Sequence, residues 1–149
     1  MINSNTWQIY TDGGARGNPG PAAAGIIIYS PNKEILKKGV YLGKTTNNSA
    51  EYQAVILALE KLKKIIGSKE SKEAEIEIRS DSELLVKQLN HQYKVKNENI
   101  VPYFIRLWNL TTDFKKIKFI HIPREKNKLA DQMVNQTLDE KLSKISFNI

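Results

Sequence analysis

The chain has no cysteine among its 149 residues, which removes disulfides, thiolate metal ligands and cysteine nucleophiles together. No apolar run approaches the ~20 residues that a membrane-spanning helix needs. The opening stretch from Met1 to Trp7 is polar and lacks the apolar centre of a signal peptide, so the expected compartment is the cytoplasm. Internal repeats, low-complexity tracts and linker-like segments are missing too. A length of 149 residues fits one domain that buries a real core. The expectation is a single domain over 1–149, with its core over about 7–142 and a C-terminal tail over 143–149.

What is present is an ordinary globular balance, 40% hydrophobic and 26% charged. Positive charge is in excess: 23 Lys+Arg against 16 Asp+Glu give a formal charge of +7. A basic surface attracts polyanions, but charge alone fits a merely soluble basic protein as well. It becomes informative only beside a site.

Period decides the elements. Trp7 to Asp12 alternates and is rich in β formers, which predicts a strand. The glycine and proline cluster from Gly13 to Pro21 reads as an irregular loop. Ala24–Tyr29 and Glu34–Leu42 complete an antiparallel meander. From Thr46 to Ile66 apolar residues recur at three and four steps (Tyr52, Val55, Ile56, Leu59, Leu62, Ile66), which predicts a helix capped by Gly67. Gly67 to Lys72 reads as a polar loop. Ala74–Arg79 reads as a strand, Ser80–Leu89 as a short helix, and His91–Glu98 as a basic connection. Ile100–Leu110 is helical, with Pro102 in its first turn and Trp108 on an apolar face that points to the core. Ile117–Ile122 is a strand, and Leu129–Leu142 a last helix. The order β-β-β-α-β-α-α-β-α predicts an α/β fold. Its mixed five-stranded sheet has three antiparallel strands, then two parallel to the first.

Four acids fall where such a sheet gathers side chains. Asp12 ends the first strand and Asp81 follows the fourth, at the carboxyl ends that border a ligand crevice. Glu51 and Asp131 lie near the starts of the first and last helices. Clustered carboxylates repel one another unless cations neutralise them. Hard oxygen ligands select Mg²⁺ or Mn²⁺, and a pair of such ions suits phosphodiester chemistry. Taken singly, each acid reads better as a turn or capping residue.

The segments around these acids carry a resemblance. Tyr10-Thr11-Asp12-Gly13-Gly14-Ala15-Arg16-Gly17-Asn18-Pro19-Gly20-Pro21 is similar to the opening signature of type 1 ribonuclease H. Thr45 to Tyr52 resembles the family's second motif, Ser80-Asp81-Ser82 its third, and Pro123 to Asp131 its fourth. The motifs occur in the family's order, from about Trp7 to Leu138. No Gly-Lys-Ser/Thr follows the first, so a phosphate loop is not supported.

The resemblance implies a ribonuclease H-like fold and an endonuclease that cuts the RNA strand of RNA–DNA hybrids with two Mg²⁺ ions, Mn²⁺ being a substitute. It implies 5′-phosphate and 3′-hydroxyl ends and little sequence specificity. Asp12, Glu51, Asp81 and Asp131 would hold the metals. Gly14, Ala15, Gly17, Asn18, Asn47 and Asn48 would meet the RNA-side minor groove, although Asn18 and Asn48 read equally as Asx-turn residues. Lys44, Thr46 and Asn97 match a DNA-phosphate pocket, and Lys94 and Lys96 a shortened basic protrusion beside Tyr93. Glu83 stands where relatives often have Gln. Many relatives carry a histidine in the loop before the last helix. Here Arg124 occupies that loop, and His121 falls in the strand before it. The expected state is a monomer without a small-molecule cofactor or membrane. Two readings compete: a DNA-cutting or strand-transfer enzyme on the same fold, and an inactive nucleic-acid-binding module.

Overall fold

The computed structural model describes residues 5–147, with side chains through 144. Of the polar opening stretch and the tail, residues 1–4 and 148–149 lie outside the described residues. The elements are β1 (Thr6–Ala15), β2 (Gly20–Tyr29), β3 (Glu34–Thr45), α1 (Asn47–Glu73), β4 (Glu75–Ser80), α2 (Glu83–Leu89), α3 (Val101–Thr111), β5 (Lys116–His121) and α4 (Lys128–Phe147). One sheet runs in the order β3-β2-β1-β4-β5. The first three strands pair antiparallel, and β4 and β5 run parallel to β1, which is the predicted mixed sheet.

Alternation along the strands builds the core. Ile9, Ile26, Ile28, Ile76 and Ile78 face α1, where Tyr52, Val55, Ile56, Leu59 and Leu62 meet them. Burying each of these large side chains contributes roughly 1.5–3 kcal/mol. Leu107 of α3 closes the cluster from one side. The other sheet face is covered by α4, whose Val134 and Leu138 pack on Ala23 and Tyr41.

Several boundaries differ from the sequence expectation. Most of the glycine-rich stretch is strand, since Gly13, Gly14 and Ala15 pair with Ala24, Ala23 and Ala22. Only residues 16–19 remain a loop, and Asp12 is interior to β1 rather than at its end. Small residues here serve close packing, so composition mimics a loop. Gly67 does break α1, at φ 84, but helix resumes behind it to Glu73, where a polar loop was expected. Ser71 Oγ donates to Gly67 O (2.7 Å) and steadies that turn. Helix α2 begins at Glu83 with Ser82 as N-cap, so Ser80 and Asp81 precede it. The expected tail is helical as far as it is described, because α4 runs on to Phe147. Trp108 is not in the core, being 54% exposed.

Candidate active site

The β1–β4 ladder ends at Thr11↔Ser80, which sets Asp12 and Asp81 side by side on adjacent strands. Glu51 arrives from α1. Its approach depends on Gly13, where a β-carbon would collide with the backbone of Ala50 and Glu51. Thr46 caps α1 by accepting from Ser49 N–H (3.1 Å). Two amides then lock the helix start to the β1–β2 loop. Ala15 N–H donates to Asn47 Oδ1 (2.8 Å), and Asn47 N–H donates to Asn18 Oδ1 (3.0 Å).

Asp12, Glu51 and Asp81 thus each offer a carboxylate oxygen within 4.8 Å of the others. Asp131, exposed in the first turn of α4, also stands against Asp12, close enough to hydrogen-bond with it and to repel it. Asn135 Nδ2 donates to Asp131 Oδ2 (3.3 Å) and orients it. All four predicted acids therefore converge, three as a tight set and Asp131 at its border.

The electrostatics record the crowding. Burial, then the charges of Asp81 and Asp131, push the Asp12 carboxyl up to about 7. Burial, then Asp12 and Asp81, hold Glu51 well above the usual carboxylate range, and a hydrogen bond from Gly13 N–H opposes this only in part. Glu51 Oε2 is buried without a hydrogen-bond partner. A buried oxygen left unpaired costs ~1–3 kcal/mol. Three close hard-oxygen groups, an orphaned oxygen and mutual repulsion all fit a metal cation held by oxygen ligands.

The remaining predicted residues fall into three groups. Asn48, Lys94, Lys96 and Asn97 share a cleft of about 230 Å³ with Glu51, between α1, α2 and the basic connection. Gly14, Ala15, Gly17, Asn18, Asn47, Lys44 and Thr46 cluster at the top of β1–β3 and the start of α1. Glu83 stands apart from both, ion-paired to Lys87 (2.6 Å) with His121 nearby. The Asx-turn reading of Asn18 fails, because its side chain reaches Asn47 across the loop.

Similarity to known proteins runs along most of the chain. Residues 10–137 match the family described as reverse transcriptase-like. Ribonuclease HI of Halobacterium salinarum is 37% identical over 88% of this chain. A bifunctional protein of Mycobacterium tuberculosis is 32% identical over 88% of it. LC11-RNase H1, isolated from compost by a metagenomic approach, has been solved alone and with an RNA/DNA hybrid. The hybrid complex is 42% identical, has a TM-score of 0.85, and covers 91% of this chain and 99% of that one. The chain belongs to the type 1 ribonuclease H family. It spans 63% of the Halobacterium relative's length and 35% of the Mycobacterium relative's.

Within this ribonuclease H frame, one site residue escaped the sequence reading. Asn127 is 1% exposed, and its Nδ2 donates to Thr11 O (2.8 Å) and reaches Asp81 Oδ2 at 3.5 Å. It ties the β5–α4 turn to β1 and to the acids. The fourth motif contains it, but its partner lies 116 residues away, so no local pattern reveals the role. Arg124 is exposed in the one-turn 3₁₀ segment of that same connection, while His121 ends β5. Tyr93, 48% exposed, has Lys87 Nζ over its ring at 5.0 Å.

Proposed function

We propose that this chain is one catalytic domain that hydrolyses the RNA strand of RNA–DNA hybrids, acting as a monomer in the cytoplasm. The observation that carries the reading is the carboxylate set: three oxygens within 4.8 Å and Asp131 against Asp12. The hybrid bound to LC11-RNase H1 supports the substrate. No helix among the described residues is long and apolar enough to cross a membrane.

Asp12, Glu51, Asp81 and Asp131 would together hold two Mg²⁺ ions, with Mn²⁺ as a substitute. Glu51 and Asp81 would hold one ion and Asp131 the other. Bound, such ions supply Lewis-acid charge stabilisation and a water acidic enough to attack phosphorus near neutral pH. Hydrolysis would leave 5′-phosphate and 3′-hydroxyl ends.

The chain's own groups explain the choice of strand. Gly14 and Gly17 bring bare backbone, and Ala15 a single methyl, to the groove edge, where 2′-hydroxyls of RNA are accessible. Asn18 and Asn47 spend their carbonyl oxygens inside the protein, which leaves their NH₂ groups for sugar and base edges. Asn48 adds a third amide beside Glu51. Thr46 Oγ1 accepts its cap bond and keeps its proton to donate to a phosphate. With Lys44 and Asn97 it would hold the DNA strand. Lys94 and Lys96 add charge along that strand. Arg124 brings a cation to the departing phosphate. Sugar and groove shape are read rather than bases, so sequence preference is weak.

The test is a labelled hybrid. With Mg²⁺ the RNA strand is cut and the DNA strand is not, EDTA stops cutting, and Asp12→Asn abolishes it. Cutting of duplex DNA at an equal rate would move the chain to the strand-transfer class. No cutting of any substrate would leave a binding module.

A further inference from the structure

Helix α3 is apolar on two sides. Phe104, Leu107 and Leu110 pack inward. Val101, Ile105 and Trp108, at steps of four and three, line up outward with exposures of 40%, 51% and 54%. Trp108 borders an open cleft of about 410 Å³ between the end of α2, α3 and β5. Phe104 and Phe119 add apolar surface to that cleft over the buried Leu107, while His91, Lys115 and Lys116 supply its polar rim. No acidic residue lines it.

We propose that this cleft is an accessory site for single-stranded nucleic acid, with Trp108 as the stacking surface for an unpaired base. An exposed indole beside lysines is the chemistry that binds single strands without regard to sequence. A duplex hides its base faces in its own stack, so an open ring selects an unpaired segment. The volume suits a nucleobase with its sugar. The cationic rim without acids complements a phosphate backbone.

Position adds to the case. The substrate cleft beside Glu51 ends at Gln88 and Ile100, and this cleft begins at Leu89 and Phe104, on the same two helices. Trp108 lies eight residues beyond Ile100 on α3, an axial distance of about 12 Å. At the ~3.4 Å per nucleotide of one strand, about four nucleotides span that gap. An overhang leaving a bound hybrid therefore reaches Trp108. The inference rests on the reading that the chain meets nucleic acid, and not on hydrolysis.

The test is anisotropy of a fluorescein-labelled dT₁₂ strand titrated with the whole protein in EDTA, followed by hybrids with and without a six-nucleotide single-stranded end. Wild type binds dT₁₂ saturably, and the overhang tightens hybrid binding about tenfold. Trp108→Ala lowers dT₁₂ affinity by about tenfold and brings the overhang-to-blunt ratio to about one. Lys115→Glu weakens binding and flattens its salt dependence by about one ion. Equal dT₁₂ affinity in wild type and Trp108→Ala overturns the site, even where hybrid cleavage is intact. So does a Trp108 emission that follows protein concentration rather than dT₁₂, because the face then joins copies of the chain. Failure of cleavage with dT₁₂ binding intact refutes the hydrolase reading alone.

Discussion

Replacing Asp12 by Asn should stabilise the metal-free protein while removing its activity. The fold lifts the Asp12 carboxyl from 3.8 to about 7, first by burial and then by Asp81 and Asp131. The folded state therefore holds the proton more tightly than the unfolded chain. Its contribution to stability is fully present below about pH 4 and is lost as pH rises through about 7. At about 1.4 kcal/mol per pH unit, the total is on the order of 4 kcal/mol, and about 2–3 kcal/mol of it is lost between pH 5 and pH 8. Asn is nearly isosteric and cannot ionise, and the neighbouring carboxylates accept from its NH₂ group. In EDTA at pH 8 the variant should therefore melt higher than wild type, by about 5–10 °C for a chain of this size. At pH 5 the gap should shrink. Glu51, held high for the same reasons, adds a loss of the same sign in wild type. Thermal melts of both proteins at the two pH values, with and without Mg²⁺, make the measurement. An Asn variant that melts below wild type at pH 8 in EDTA would refute the claim that these acids are crowded and buried.

Three further outcomes follow from named contacts. Gly13→Ala drives a β-carbon into the Ala50–Glu51 backbone, so it should cost about 1–3 kcal/mol in urea unfolding and weaken Mg²⁺ binding by calorimetry. Asn127→Ala strips the buried Thr11 carbonyl of its donor and Asp81 of a neighbour. It should cost about 1–3 kcal/mol and lower kcat more than it raises KM. Lys94→Glu with Lys96→Glu should raise KM for the hybrid. The same pair should reduce the slope of log affinity against log salt by about two in filter binding, and an unchanged slope would remove these lysines from the substrate path.

The sequence announces the order and direction of the elements because their periods are clean. Ile76 and Ile78 alternate in β4, and Val55, Ile56, Leu59 and Leu62 keep helical steps in α1. The acids are legible because their motifs occur together, and the structure gathers them where the β1–β4 ladder stops. Other features depend on distant partners. Gly13–Ala15 and Gly20–Pro21 read as loop, yet the small residues here are what let the β1–β2 ladder pass beneath α1 and α4. Helix α3 carries apolar residues at both inward and outward steps, so period cannot say which face the sheet takes. Trp108 accordingly lies on the outward face, not the core face that the period suggests. The fixing of Asn127 to Thr11 spans most of the chain and leaves no local trace.

These two kinds of residue meet in one energetic argument. Asp12, Glu51 and Asp81 lie together only because the fold holds them against burial and repulsion, through the Gly13 approach, the Thr46 cap and the Asn127 tie. A ligand that binds the folded state alone stabilises it by about 2.7 kcal/mol at one hundred times its Kd. Ionisation of Asp12 costs stability in the opposite direction as pH rises. A divalent cation held by these acids therefore works against that loss. Melting temperature and cleavage should then rise together as Mg²⁺ is added at pH 8, and removing Asp12 should uncouple them.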